Sequence, residues 1–276
     1  MTTLAAFKKF TGNLAPRDQK MPVLFLGHGS PINGIEQNDF SQTWSQLAQA
    51  IPLPAAVLVV SAHWLTQGTK ITAMDFPETI HDFGGFPKEL YAVQYPAPGN
   101  ADLARETVSV IESAQVVLAH DWGLDHGAWT ILRHMYPDAS IPILQLSIDY
   151  TKGPQFHYDL AKELAWLRRK GVLIIGSGNM VHNLRLLSFE HFNDNFGFDW
   201  ARDINQVFKD LVTSKDHPAL INYQSLGPAA KLAIPTPDHY YPLLYTLGLQ
   251  GSSEEALIFN DQLVAGSITM TSVMIN

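Results

Sequence analysis

The run from Ala55 to Ser61 is aliphatic or small at consecutive positions, rich in valine and without polar alternation. A strand of that kind must be covered on both faces, as strands are inside a parallel sheet flanked by helices. It leads into Ser61-Ala62-His63. The same figure, an apolar strand running into small residues and then a histidine, occurs in Leu24-Phe25-Leu26-Gly27-His28-Gly29-Ser30-Pro31 and in Leu173-Ile174-Ile175-Gly176-Ser177-Gly178-Asn179-Met180-Val181-His182. Glycine and serine after an apolar run mark the rim of a sheet. In open α/β sheets ligands collect outside the carboxyl ends of the strands. His28, His63 and His182 are therefore expected to share one crevice.

The intervening segments supply the helices that such a sheet needs. Phe40, Trp44, Leu47 and Ile51 form one apolar stripe, closed by Pro52 and Pro54. Asn100 caps a helix reaching about Ser113, and Asp125 opens another that turns Trp129, Leu132 and Tyr136 inward. Pro154 suits the first turn of a helix with the stripe Phe156, Leu160, Leu164 and Leu167, which Gly171 ends. Trp200, Ile204, Val207, Phe208 and Leu211 mark one more. Thr236-Pro237-Asp238-His239 reads as cap, first-turn proline and first-turn acid, which sets His239 near the N-terminus of a helix ending at Gly248.

Further strands are expected at 22–27, 70–74, 115–119, 141–148 and 172–177, with 256–259 and 267–275 as an antiparallel edge. Strands alternating with helices predict a single three-layer α/β/α domain over residues 21–276, with a largely parallel central sheet. Residues 1–20 are read as an N-terminal extension. Residues 75–98 hold too many glycines, prolines and aromatics for a regular element, and predict an ordered covering loop.

Composition narrows the chemistry. Charged residues make up 16% of the chain, against roughly 25% in an average soluble domain, which favours a large buried core. A formal net charge of -8 argues against nucleic acid and anionic membrane as partners and leaves a small molecule as the expectation. With no cysteine, disulfides, thiolate zinc sites, iron–sulfur clusters and a thiol nucleophile are all excluded. Any metal must use imidazole, carboxylate or carbonyl ligands, and eleven histidines are present. The opening residues lack the apolar core of a signal peptide, and no run approaches the ~18 apolar residues of a membrane span, so a cytoplasmic protein is expected.

Other motifs are weaker. Gly176-Ser177-Gly178 has no third glycine leading into a helix, and neither a Gly-x-Ser-x-Gly elbow nor a Walker-type loop occurs. His134, His157, His191 and His217 fall on polar helix faces or in turns and are expected at the surface. His120 ends a strand without glycine-rich surroundings. His81 reads as a lid or turn residue, and a capping role for Asp125 accounts for the stretch around His126 without chemistry.

Gly27-His28-Gly29-Ser30-Pro31, Ser61-Ala62-His63-Trp64, His81-Asp82-Phe83-Gly84-Gly85-Phe86-Pro87, Tyr95-Pro96-Ala97-Pro98, Asp125-His126-Gly127, Ser177-Gly178-Asn179-Met180-Val181-His182-Asn183 and Thr236-Pro237-Asp238-His239-Tyr240 follow one another along the chain. In that order they resemble the class III extradiol ring-cleavage dioxygenases, in the DOPA 4,5-dioxygenase branch. The resemblance implies that residues 21–276 are a catalytic domain acting on a catechol such as DOPA with O2. It implies His28 and His63 as metal ligands, with the third position, a glutamate in protocatechuate-cleaving relatives, falling at His239. His182 matches the family's acid–base histidine and should lie close enough to the metal to count as a fourth ligand. His126 matches a substrate-contacting histidine that assists it.

The resemblance further implies Fe(II) for catalysis. An imidazole in place of the carboxylate leaves the site more positive and favours Zn²⁺ over Fe²⁺ in the Irving–Williams order, so zinc is expected in purified protein. A zinc-dependent hydrolase using the same histidines to activate water is the alternative, followed by a structural metal or a small-molecule binder. The oligomeric state stays open.

Overall fold

The computed structural model describes residues 20–192 and 194–276. The expected extension at residues 1–20 lies outside the described residues except for its last member. Among the described residues ten strands occur, in the order β1 Val23–Gly27, β2 Ala56–Thr66, β3 Lys70–Thr72, β4 Val117–Ala119, β5 Ile143–Asp149, β6 Val172–Gly178, β7 Ala256–Phe259, β8 Leu263–Val264, β9 Ile268–Thr269 and β10 Ser272–Ile275. All but β8 and β9, which pair with each other, join one sheet in the order β4-β3-β5-β2-β6-β1-β10-β7. The central strands β5, β2, β6 and β1 are mutually parallel.

At one side β10 pairs antiparallel with both β1 and β7, which is the antiparallel edge expected of the tail. The other side departs from the parallel pattern as well, because β3 runs against β5 and takes β4 with it. Only residues 67–69 separate β2 from β3, too few for the crossover that a parallel neighbour requires.

The longer helices are α1 Asp39–Ala50, α2 Ala101–Val110, α3 His126–Met135, α4 Pro154–Glu163, α5 Asp199–Thr213 and α6 Tyr241–Gly248. Successive strand residues point to opposite faces, and the core divides accordingly. Phe25, Leu58, Val60 and Ile174 join Leu160, Phe208 and Leu244 of α4, α5 and α6. Leu24, Leu26, Val57, Val59 and Ile175 join Trp44 of α1 and Trp129 of α3. That partition is the three-layer arrangement, and it explains why β1, β5 and β6 are buried at every position. Among the described residues no helix is long and apolar enough to cross a membrane.

Three local expectations are corrected. The helix beginning at Pro154 is interrupted at Leu164, where a tight turn precedes a short helix, Ala165–Arg169. The helix after Thr236 begins later, at Tyr241, with Pro242 in its first turn. Asp238 precedes that first turn and is no first-turn acid; its carboxylate bonds His239 instead.

The third concerns the histidines expected at the surface. His157 is fully buried and His217 nearly so. The expected stripe is buried at Leu160, Leu164 and Leu167, but the inward face of α4 also takes in His157, one turn before Leu160 and Ala161, so the buried face is wider than the apolar stripe. His217 is enclosed between Tyr158 and Gln250. His134 is half-buried, with Nε2 on the carbonyl of Asn33, and His191 keeps a partly exposed position beside Asp194.

Candidate metal centre

Each histidine of the crevice is delivered by a different element. His28 follows β1 directly and is 1% exposed; its carbonyl accepts a hydrogen bond from the side chain of Asn33. His63 was expected just past a strand end, but β2 continues beyond it to Thr66. Pairing of β2 with β5 passes from Val60 opposite Leu146 to Leu65 opposite Ile148. The surplus residues on β2 form a bulge, a device that re-aims side chains at functional rims, and His63 lies in it.

His239 sits in the turn that precedes α6, its backbone drawn onto β6 where the N–H of Asn179 bonds its carbonyl at 2.9 Å. Only a glycine at 178 permits this, since a Cβ there would stand 2.2 Å from that carbonyl oxygen. His182, past the end of β6, is fixed by its backbone N–H on the carbonyl of Ala233. Its ring stacks on His239 at 3.5 Å with a 6° tilt. His126 is the first residue of α3, whose N-cap Asp125 accepts from the N–H of Ala128. Capping was the expected role of Asp125; the histidine beside it is nevertheless brought into the cluster, with its ring 3.8 Å from that of His63.

The hydrogen bonds settle where the protons sit. Ser177 donates its hydroxyl proton to the carbonyl of Gly127 at 2.6 Å, so its contact with Nδ1 of His28 at 3.0 Å must be one it accepts. Nδ1 of His63 lies 3.3 Å from Oδ2 of Asp82, and Nδ1 of His239 lies 2.5 Å from Oδ2 of Asp238. His28 and His239 thus carry the proton on Nδ1 and keep a lone pair on Nε2, and the Asp82 carboxylate beside Nδ1 favours the same form of His63 by its charge. The Nε2 atoms of His28 and His63 face each other at 3.0 Å. Donor atoms of His28, His63 and His239 lie within 4.8 Å of one another.

Electrostatics act in the same direction. Burial, with the neighbouring imidazoles behind it, holds His28 and His63 well below the ordinary histidine value. Burial likewise takes His182 down to about 2, assisted by His239 and opposed by Asp238. Burial would raise Asp82, but the hydrogen bonds and charge of His126 outweigh it and keep the carboxylate ionised. Asp238 is lowered too, against its burial, by the hydrogen bond and charge of His239. Neutral imidazoles with convergent lone pairs, backed by carboxylates on their outer nitrogens, form a donor set that suits a divalent first-row metal ion. The residues present fit a metal.

The crevice therefore joins His28, His63, His126, His182 and His239. His120 is left exposed, outside it. His81 points away, with Nε2 on the carbonyl of Val93 at 3.0 Å, and pins its loop. That loop is ordered as expected: Trp129 bonds the carbonyl of Ile80 and Tyr95 bonds the carbonyl of Tyr136. Phe83 stands edge-on to His126. Sequence reasoning did not place Asp82, Ser177 or Asp238 behind the outer nitrogens of the crevice histidines. Asp82 meets His126 across 44 residues and Ser177 meets His28 across 149, so no local spacing announces either contact.

Residues 22–273 match the family described as the catalytic LigB subunit of aromatic ring-opening dioxygenase. The chain is 45% identical over 261 residues, 93% of its length and 95% of the relative's, to a 4,5-DOPA dioxygenase extradiol of Escherichia coli strain K12. It is 32% identical over 266 residues, covering 94% and 98% of the two chains, to a 4,5-DOPA dioxygenase extradiol of Beta vulgaris. A crystal structure of a protein from Escherichia coli K12 superposes with a TM-score of 0.80 at 40% identity, covering 93% of this chain and 100% of that one.

Proposed function

Because the chain belongs to the family of catalytic LigB subunits of aromatic ring-opening dioxygenases, we propose that residues 21–276 form a catalytic domain that opens the ring of a catechol such as DOPA in the extradiol sense, using O2. The observation that carries the reading is the pair of Nε2 atoms of His28 and His63, 3.0 Å apart, with Nδ1 of His28 hydrogen-bonded to Ser177 and Nδ1 of His63 3.3 Å from the Asp82 carboxylate. His28, His63 and His239 hold the metal, with His182 stacked against the third as its closest neighbour. Fe(II) is the catalytic metal and Zn²⁺ the ion expected in protein purified in air. Bound there, Fe(II) would supply Lewis-acid and redox chemistry to the catechol and O2.

The remaining work falls to the chain. Three neutral imidazoles leave the charge of a dication uncompensated, and this favours the doubly ionised form of a catechol. Asp238 behind His239 returns part of the negative charge from the far side of the ring. His126 donates Nδ1–H to Asp82, so its Nε2 is a proton acceptor facing the crevice. His182 is neutral, and its ring nitrogens make no hydrogen bond among the described residues, so it is free to take a catechol proton and return it as the ring opens. Burial disfavours the charged form of His182, so a proton taken from the catechol there is readily given back. Phe83 over His126 shields this face from water.

Anaerobic loading with Fe(II), followed by DOPA or a simple catechol and then air, tests the proposal. Stoichiometric oxygen uptake with the yellow absorbance of a ring-opened semialdehyde is expected. Turnover that persists without oxygen would assign the site to a zinc-dependent hydrolase instead. Iron bound with no oxygen uptake across a panel of catechols would overturn the reading.

A further inference from the structure

Asp82 lies on the covering loop, not on the sheet, yet it reaches two crevice histidines at once. Its Oδ2 is 3.0 Å from Nδ1 of His126 and 3.3 Å from Nδ1 of His63. Its other oxygen, Oδ1, accepts the backbone N–H of His126 at 2.9 Å. The side chain is 16% exposed. A carboxylate has no proton to give, so its two hydrogen bonds to His126 require donors on the histidine side, and its negative charge 3.3 Å from Nδ1 of His63 favours a proton there as well. The two rings it touches are packed at 3.8 Å, which leaves neither free to turn over independently of the other.

We propose that Asp82 is the positioning residue that fixes the proton on Nδ1 of both His63 and His126 through a single carboxylate oxygen. One loop residue thereby presents a lone pair toward the metal from His63 and a proton acceptor toward the substrate from His126. The inference rests on the roles given to those two histidines above. It makes the placement of the covering loop a condition for both, since a loop displaced from the rim releases both tautomers together.

The geometry makes asparagine the most informative replacement at this position. An amide has one accepting oxygen and one donating nitrogen. If the oxygen keeps the backbone N–H of His126, the amide nitrogen faces both Nδ1 atoms and drives their protons to Nε2, where His63 needs a lone pair. If the amide is turned round, its nitrogen opposes the backbone N–H. Asp82→Asn is therefore expected to harm the site at least as much as Asp82→Ala, although it keeps the size and shape of the side chain.

Nitrogen NMR of ¹⁵N-histidine-labelled protein reads the tautomers directly. In wild-type protein, zinc-loaded and after chelation, His63 and His126 are expected as the Nδ1–H form. In zinc-loaded Asp82→Asn, His126 is expected to move to Nε2–H. Zinc affinity, measured against a chromophoric chelator, is expected to fall about 10–100-fold in Asp82→Asn and in Asp82→Ala. Nε2–H at either histidine of the chelated wild-type protein would overturn the proposal, and this holds whether or not the variants fold. So would an unchanged His126 signal and zinc affinity within twofold of wild type in Asp82→Asn. If the wild-type tautomers are as stated and no catechol is opened, the proposed function fails while the role of Asp82 stands.

Discussion

Nε2 of His28 and Nε2 of His63 stand 3.0 Å apart, with Nδ1 of His28 hydrogen-bonded to Ser177 and Nδ1 of His63 3.3 Å from the carboxylate of Asp82. Two lone pairs at that distance repel unless a cation lies between them, so the pair is set for metal before metal arrives. Ser177 holds His28 in this state by accepting Nδ1–H while donating to Gly127. In Ser177→Ala the His28 ring loses its orienting partner, and metal affinity should fall about 10–100-fold with the fold retained. Competition with a chelator of known affinity measures this. An affinity equal to wild type would mean that packing alone orients His28.

Among the described residues, the His182 ring differs from those of the other crevice histidines in making no hydrogen bond, and it stacks on His239. As an acid–base group it should contribute about 10²–10⁴-fold to turnover. His182→Ala is expected to keep its iron, by metal analysis after gel filtration, and to lose turnover by that amount. Iron lost along with activity would make His182 a ligand. Turnover near wild type with iron bound would remove it from the mechanism.

The parts of this molecule that were legible in its sequence are those with local causes. Unbroken aliphatic runs at 55–61 and 173–175 disclose strands covered on both faces, and the small residues after them disclose a rim. His28, His63 and His182 were found that way. His239 lies in a turn without an apolar strand before it, and only the resemblance to a known family singled it out. The bulge in β2 leaves no mark in composition, because it arises from pairing with β5. Asp82 and Ser177 act across long sequence separations, where folding, not spacing, creates the contact. His157 was misplaced because the buried face of its helix is wider than the apolar stripe Leu160, Leu164 and Leu167 that marks it, and a polar residue at its margin gives no hydrophobic signal.

Gly127 lies in the first turn of α3, where alanine would ordinarily improve a helix by about 1 kcal/mol. A Cβ at this position would stand 2.5 Å from Oγ of Ser61 and 2.9 Å from Cδ2 of His63. Ser61 cannot simply turn away, since it donates to Asp125 at 2.6 Å. The strain therefore falls on the His63 ring. Gly127→Ala should fold with a melting temperature close to wild type or somewhat lower, yet lose about 10²-fold in turnover, as a displaced catalytic group does. Wild-type kinetics in this variant would show that the rim of β2 yields without moving His63.

His157 offers a pH test remote from the metal. It is fully buried on α4 with Nδ1 3.1 Å from the hydroxyl of Tyr245. Burial takes it down to about 4, against the carbonyls of Lys152 and Asp149 and the charge of Asp149. The unfolded chain binds this proton near pH 6.5, where the folded protein refuses it. Stability from His157 is therefore complete above about pH 6.5 and declines as pH falls toward about 4, by about 3 kcal/mol across the gap at 1.36 kcal/mol per unit. His28, His63 and His182 are lowered as well and push in the same direction, so the wild-type slope is a sum. His157→Gln keeps a polar partner for Tyr245 and cannot titrate. Urea unfolding of both chelated proteins at several pH values between 7 and 4 should show a shallower decline in the variant. Parallel curves would mean that His157 takes up its proton without unfolding.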